Sequence, residues 1–177
     1  MGHSPLITRI ELIAFEIQVA NVASDPAGQG VHYHPGPGGP QVRFALRVET
    51  DAGIVGEYVP PRGRAKLALA ASEFLAHGLI GKPALERERL YRSMRKATKH
   101  VGELGIGPLD VALWDIAGKL HGASISQLLG GFRSRLPAYA STLHGDDRHD
   151  GLSSPAAYAE FAEQCWEMGY RAYKMHG

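Results

Sequence analysis

Pro108-Leu-Asp-Val-Ala-Leu-Trp-Asp-Ile-Ala-Gly-Lys119 is the stretch whose reading decides the fold. Leu109, Ala112, Leu113, Ile116, Ala117 and Leu120 recur at spacings of three and four, so a helix gathers them into one apolar stripe. Gly107-Pro108 opens it, because proline in a first turn lacks only an N–H that has no partner there anyway. Gly122 closes it. Asp115 and Lys119 stand four apart with the acid first, the favourable order for an ion pair on a helix surface. A helix so one-sided needs a partner layer, and the flanking sequence supplies one.

Upstream, Ile7 to Val19 reads as a long strand with a bulge near Phe15. Asn21 to Pro40 is dense in glycine, proline and small polar residues and reads as a surface loop. Gln41 to Thr50 alternates Val42, Phe44, Leu46 and Val48 against Arg43, Arg47 and Glu49, so it is a second strand. The Asp51-Ala52-Gly53 turn leads to a third strand, Ile54 to Val59. These three make an antiparallel meander. Helices are expected from Arg64 to His77, with Leu67, Ala70, Ala71, Phe74 and Leu75 as the apolar face, and from Ala84 to about Lys99.

Downstream, Ser124 and Gln127 have capping-box spacing and start a short helix that Gly130-Gly131 ends. Leu136 to Ser141 reads as a strand, followed by a polar loop. Ser154-Pro155 then caps a helix with the stripe Tyr158, Phe161, Ala162, Cys165 and Met168, and Arg171 to His176 is another strand. Strand, helix and strand form the βαβ unit of a parallel sheet or barrel. A lone unit of this kind has open edges and calls for more protein beside it.

Composition narrows the function classes. With 19 basic and 18 acidic residues the formal charge is +1, which gives no electrostatic reason for a nucleic-acid or anionic-membrane partner. No apolar run approaches membrane-spanning length, and the start has no signal-peptide pattern. Cys165 stands alone, so no intrachain disulfide forms, and no Cys/His set has zinc spacing; a reducing, cytoplasmic setting is the expectation.

The order of these parts, together with their wording, carries a resemblance. The 108–119 helix, then Leu128-Leu129-Gly130-Gly131, then Leu136-Pro-Ala-Tyr-Ala-Ser141, then Gly169-Tyr-Arg-Ala-Tyr-Lys174, resembles the mandelate racemase/muconate lactonizing group of the enolase superfamily over nearly the whole chain. What this implies is an α+β capping domain, residues 1–135, made of the three-stranded meander and a helical bundle. Residues 136–177 would then be the first βαβ unit of a truncated (β/α) barrel. In such an enzyme three acidic residues on later strands hold one Mg2+, a base takes the proton α to a substrate carboxylate, and the metal stabilises the enediolate. A barrel alone takes ~250 residues, so the chain is expected to stop before those ligands: no metal site lies within it, and Mg2+ belongs to the full-length enzyme. The implied partner is a small-molecule carboxylate, and the implied assembly a homo-oligomer.

The candidate residues follow. Lys174 and His176 are two apart on a strand and so share a face, with Tyr173 and Met175 on the other. The resemblance makes that face the barrel interior and the strand's usual ending Lys-x-Lys, whose second lysine is an acid/base catalyst. Here His176 occupies its place. Histidine also moves protons near neutral pH. Alternatively the base comes from a later strand, which points toward an acid-sugar dehydratase. Ser141, Thr142 and His144, at and just beyond the end of the preceding strand, are candidates to touch substrate, since barrel chemistry sits at the carboxyl ends of strands. His32 and His34 lack a third ligand; the resemblance places them in a loop that folds over the active site and selects substrate. Tyr58, with Pro60, Pro61 and Arg62, lies on a second loop that the resemblance puts at the pocket, and Arg62 or Arg64 is suited to an anionic group. Asp110, Asp115 and Glu103 are read as structural carboxylates. As the chain stands, the competing reading is a capping and oligomerisation module with no catalysis of its own.

Overall fold

A computed structural model describes residues 4–24, 31–61, 63–145 and 149–176. The chain forms two compact units, Met1–Glu16 with Val42–Phe132 and Ile17–Gln41 with Arg133–Gly177.

In the first unit, β1 (Ile7–Val19), β4 (Gly39–Thr50) and β5 (Val55–Tyr58) form a three-stranded sheet in the order β1-β4-β5. The Asp51-Ala52-Gly53 turn makes β4 and β5 an antiparallel pair, Leu46 opposite Tyr58 and Val48 opposite Gly56. Alternation along β4 buries Phe44, Leu46, Val48 and Thr50. The helices α1 (Ala65–Ala76), α2 (Arg87–Ala97), α3 (Ile106–His121) and α4 (Ile125–Leu128) follow. The expected stripe of α3 is the centre of the core: Leu109, Ala112, Leu113 and Ile116 are sealed from solvent against Ile7, Leu46, Val48, Leu75, Leu90 and Met94. Gly56 lets α3 come this close to β5, because a Cβ there would fall on the carbonyl oxygen of Ala112. Gly122 takes a left-handed φ of 60° and ends α3, and Ser124 and Gln127 close the expected capping box of α4.

Three sequence-based expectations shift. Helix α1 is rotated about its axis: it buries Ala68, Ser72 and Leu75, while Leu67 and Phe74 are 61% and 62% exposed. Small residues win because α1 meets the backbone before α3, where Ser72 Oγ donates to the Gly105 carbonyl at 3.2 Å and leaves no room for large side chains. The glycine-rich stretch is not wholly loop. Val22–Ser24 (β2) and Val31–Tyr33 (β3) pair antiparallel, since β-branched and aromatic residues take up a ladder despite their neighbours. Finally, the strand expected from Leu136 to Ser141 runs instead from Ala140 to His144 (β6). Pairing decides this: the Ala140 N–H donates to the Ala172 carbonyl, and Leu136 to Tyr139 lie exposed.

The second unit holds β2, β3, β6, α5 (Pro155–Glu167) and β7 (Tyr173–His176). Its mixed sheet has the order β2-β3-β6-β7, with β3, β6 and β7 mutually parallel. Ser154 caps α5 by accepting the Ala157 N–H, with Pro155 just inside. Helix α5 lays Phe161 against Tyr173, ring centroids 6.4 Å apart, and buries Cys165. Among the described residues no helix is long and apolar enough to cross a membrane.

Candidate active site

The site is a matter of strand register. Parallel β6 and β7 set Ala140 opposite Tyr173, Ser141 opposite Lys174, and His144 opposite His176. Three steps on β6 thus match two on β7, which is a β-bulge between Ser141 and His144. On its other side, β6 meets β3 with His144 opposite His32. Three histidines from three strands therefore form one cross-strand row, His32, His144 and His176. The His144 and His176 rings lie 5.6 Å apart, tilted by 33°. His34 follows at the end of β3, its ring edge-on to His32 at 6.0 Å.

His176 is held at several points. Its backbone N–H donates to Thr142 Oγ1 at 3.1 Å, its carbonyl accepts from the Tyr158 hydroxyl at 2.8 Å, and its Nδ1 is 2.6 Å from the Thr142 carbonyl oxygen. Thr142 is buried in the bulge, where its hydroxyl stands in for a ladder acceptor that the extra residue displaces. Tyr173, the chain neighbour of Lys174, faces α5; burial, with the Cys165 thiol beside it, pushes its phenol above the ordinary range.

Of the residues picked from the sequence, Ser141, Lys174, His144, His176, His32 and His34 come together in this unit, and the first four share adjacent register positions. Tyr58 belongs to the first unit, where it packs against the hydrophobic core opposite Leu46. Arg64 precedes α1 in a left-handed conformation, φ 49°. Arg62, Asp146 and Asp147 lie outside the described residues. The residues lining a cavity of about 450 Å³ beside β6 include Tyr33, Ser141, Thr142, Leu143, Glu160 and Phe161. Neither Lys174 nor His176 lines it, but Thr142 does, and Thr142 bonds to His176, so the cavity adjoins the residue that holds that histidine. Tyr158 was missed as more than a stripe residue. The signal was available, because a tyrosine on an apolar helix face must find a partner for its hydroxyl.

The other carboxylates are structural. Asp115 accepts the Glu57 N–H at 2.9 Å and pairs with Lys119 at 2.8 Å, while Glu103 pairs with Arg95 at 2.8 Å. Burial raises the Asp110 carboxyl above its ordinary value, and Arg87 opposes that shift. Among the described residues no group of three His, Cys, Asp or Glu is arranged to hold a metal ion. The described residues thus do not make a magnesium site.

Comparison with known proteins agrees with the architecture. Residues 36–130, more than half of the chain, match the family model of the mandelate racemase / muconate lactonizing enzyme N-terminal domain. The chain is 35% identical over 136 residues to D-galactarolactone cycloisomerase of Agrobacterium fabrum, covering 73% of this chain and 35% of that protein. In structure it is similar to a D-glucarate dehydratase of Agrobacterium tumefaciens complexed with magnesium, with a TM-score of 0.83, 31% identity, and 99% of this chain but 45% of that one covered. A Bradyrhizobium enolase complexed with magnesium and mandelic acid gives a TM-score of 0.70 at 26% identity, covering 100% of this chain and 47% of that one. The chain therefore spans less than half the length of these relatives. Its meander, its helices and the start of its parallel sheet are those of a capping domain running into a barrel, and the chain belongs to the mandelate racemase/muconate lactonizing enzyme group of the enolase superfamily.

Proposed function

We propose that the chain is the N-terminal part of an enzyme that removes the proton α to a carboxylate of an acid sugar or its lactone, with His176 and Lys174 as its acid/base pair. One observation carries the reading. The register of β6 and β7 brings His176 and Lys174 beside His144 and Ser141 at the carboxyl ends of parallel strands, where barrel chemistry takes place. Imidazole changes charge between pH 5 and 8, so it can both take and return such a proton. The ammonium of Lys174 offers a cation to the substrate carboxylate, with the Ser141 hydroxyl and the His144, His32 and His34 rings as further polar contacts. Tyr58 is retained as a substrate contact from the capping domain, residues 1–135, with residues 136–177 beginning the barrel. The cycloisomerase and dehydratase among the relatives support the acid-sugar class, and the magnesium bound to the dehydratase and to the Bradyrhizobium enolase supports a Mg2+ requirement for the whole enzyme. A homo-oligomer is the proposed assembly.

A specific observation favours a second reading for the 177-residue chain by itself: the described residues lack a metal ligand set. On that reading the chain is a capping and oligomerisation module without turnover. Deuterium uptake at the α carbon of galactarate, glucarate and their lactones, followed by NMR in deuterium oxide with Mg2+, separates the two. Uptake that His176→Gln abolishes establishes the enzymatic reading for this chain. No uptake by folded protein establishes the second.

A further inference from the structure

The bonds around His176 have a consequence for which of its ring nitrogens carries the proton. A carbonyl oxygen only accepts, so the 2.6 Å contact between Nδ1 and the Thr142 carbonyl requires the hydrogen to be on Nδ1. In the neutral ring Nε2 is then the lone pair, and it is the atom able to take up a proton. Free histidine favours the opposite tautomer, so the strand imposes this one.

Two side chains hold the imposing geometry. The Thr142 hydroxyl accepts the His176 N–H at 3.1 Å, and the Tyr158 hydroxyl donates to the His176 carbonyl at 2.8 Å. With the ring contact, the residue is clamped at N–H, at C=O and at Nδ1. The clamp is built from several elements. The β6 bulge turns Thr142 so that both its hydroxyl and its carbonyl meet His176, and Thr142 is only 5% exposed, so water competes little for either. Helix α5 delivers Tyr158, and Gly145 leaves the space its hydroxyl needs: a Cβ at Gly145 would stand 2.5 Å from that oxygen. The same arrangement directs the free nitrogen away from Thr142, on a ring whose neighbour in the row is His144 at 5.6 Å.

We infer that Thr142 and Tyr158 are positioning residues that fix the Nδ1–H tautomer of His176 and present Nε2 as its proton-accepting atom. The assignment rests on the proposed acid/base role of His176 for its purpose, but its geometry can be tested without substrate. The experiment is long-range nitrogen–proton correlation NMR of the uniformly ¹⁵N-labelled chain above pH 7.5. The His176 signals are assigned by their loss in His176→Gln. The expected result is an Nδ1–H pattern for His176 in the native chain. Thr142→Val and Tyr158→Phe should each shift its signals toward the Nε2–H pattern of free histidine, and Thr142→Ser, which keeps the hydroxyl, should restore the native pattern. An Nε2–H pattern for His176 in the native chain overturns the inference. So does a native pattern that persists in folded Tyr158→Phe and folded Thr142→Val. If Thr142→Val does not fold, Tyr158→Phe and Thr142→Ser decide alone. A native Nδ1–H pattern without isotope exchange would leave the clamp standing and remove only the catalytic reading.

Discussion

At the scale of single residues, two glycines, one on β5 and one in α3, show how differently the same added atom matters. A Cβ at Gly56 would meet the Ala112 backbone, which cannot step aside, whereas one at Gly107, in the first turn of α3, meets nothing within 4 Å. Gly56→Ala should therefore destabilise the chain by about 1–3 kcal/mol, the usual cost of overpacking. Gly107→Ala should stabilise it by about 0.5–1 kcal/mol by restricting the unfolded backbone. Urea unfolding of both variants checks the pair, and equal effects would show that α3 does not approach β5 as described. Asp110 offers a prediction in pH. Its carboxyl is raised chiefly by burial, so the folded chain keeps a proton that the unfolded chain releases near the ordinary value of about 3.9. The stability this contributes is complete below that value and is lost as pH rises through the folded value. Asp110→Asn cannot lose the proton, so its stability, measured by urea unfolding from pH 3.5 to 7, should fall less over that interval than that of the parent chain. The ion pairs were readable from the sequence only where they are local. Asp115–Lys119 follows from helical spacing, but the bond from Asp115 to the Glu57 N–H joins residues 58 apart and needed the fold.

At the scale of elements, α1 and α3 make the contrast. Both show apolar residues at helical spacing. In α3 the residues of the stripe are large and their opposing strands have room for them, so spacing and burial agree at Leu109, Leu113 and Ile116. In α1 the spacing is satisfied equally well by two faces about a third of a turn apart, and close approach to the Gly105 backbone selects the one carrying Ala68 and Ser72. Periodicity detects a helix without saying what will press against it. Leu113→Ala should cost about 2–5 kcal/mol, as a buried leucine truncation does. Phe74→Ser, on the exposed face, should stay within about 0.5 kcal/mol of the parent. Thermal or urea denaturation distinguishes them, and a large loss at Phe74 would mean that α1 buries the face read from its sequence. The strand β6 teaches the same lesson. Leu136 to Ser141 has a strand's composition, but the ladder forms where a partner backbone stands, from Ala140 to His144.

At the scale of the whole molecule, the chain carries a capping-domain core and the first parallel pair of a barrel, and the described residues include no metal-holding set. Calorimetric titration of the 177-residue chain with Mg2+ is expected to show no tight stoichiometric site. A site saturating at one equivalent would contradict this and require ligands that the described residues do not bring together. What the sequence determined by itself is whatever depends on neighbours a few residues apart. The α3 stripe, the Gly122 stop, the caps of α4 and α5, the β4 alternation and the turn at Gly53 are of this kind, because helical and pleated periods put those residues in contact whatever surrounds them. The family resemblance was legible for the same reason, since it rests on the order of such local signatures. What only tertiary structure decided is register. His32, His144 and His176 are far apart in the chain, and a shift of one residue at the β6 bulge would place His144 on the other face of the sheet. The clamp that Thr142 and Tyr158 close on His176 depends on that bulge and on the packing of α5. No spacing in the sequence encodes either, because strand pairing is set by which backbone groups are left to satisfy one another once the core has formed.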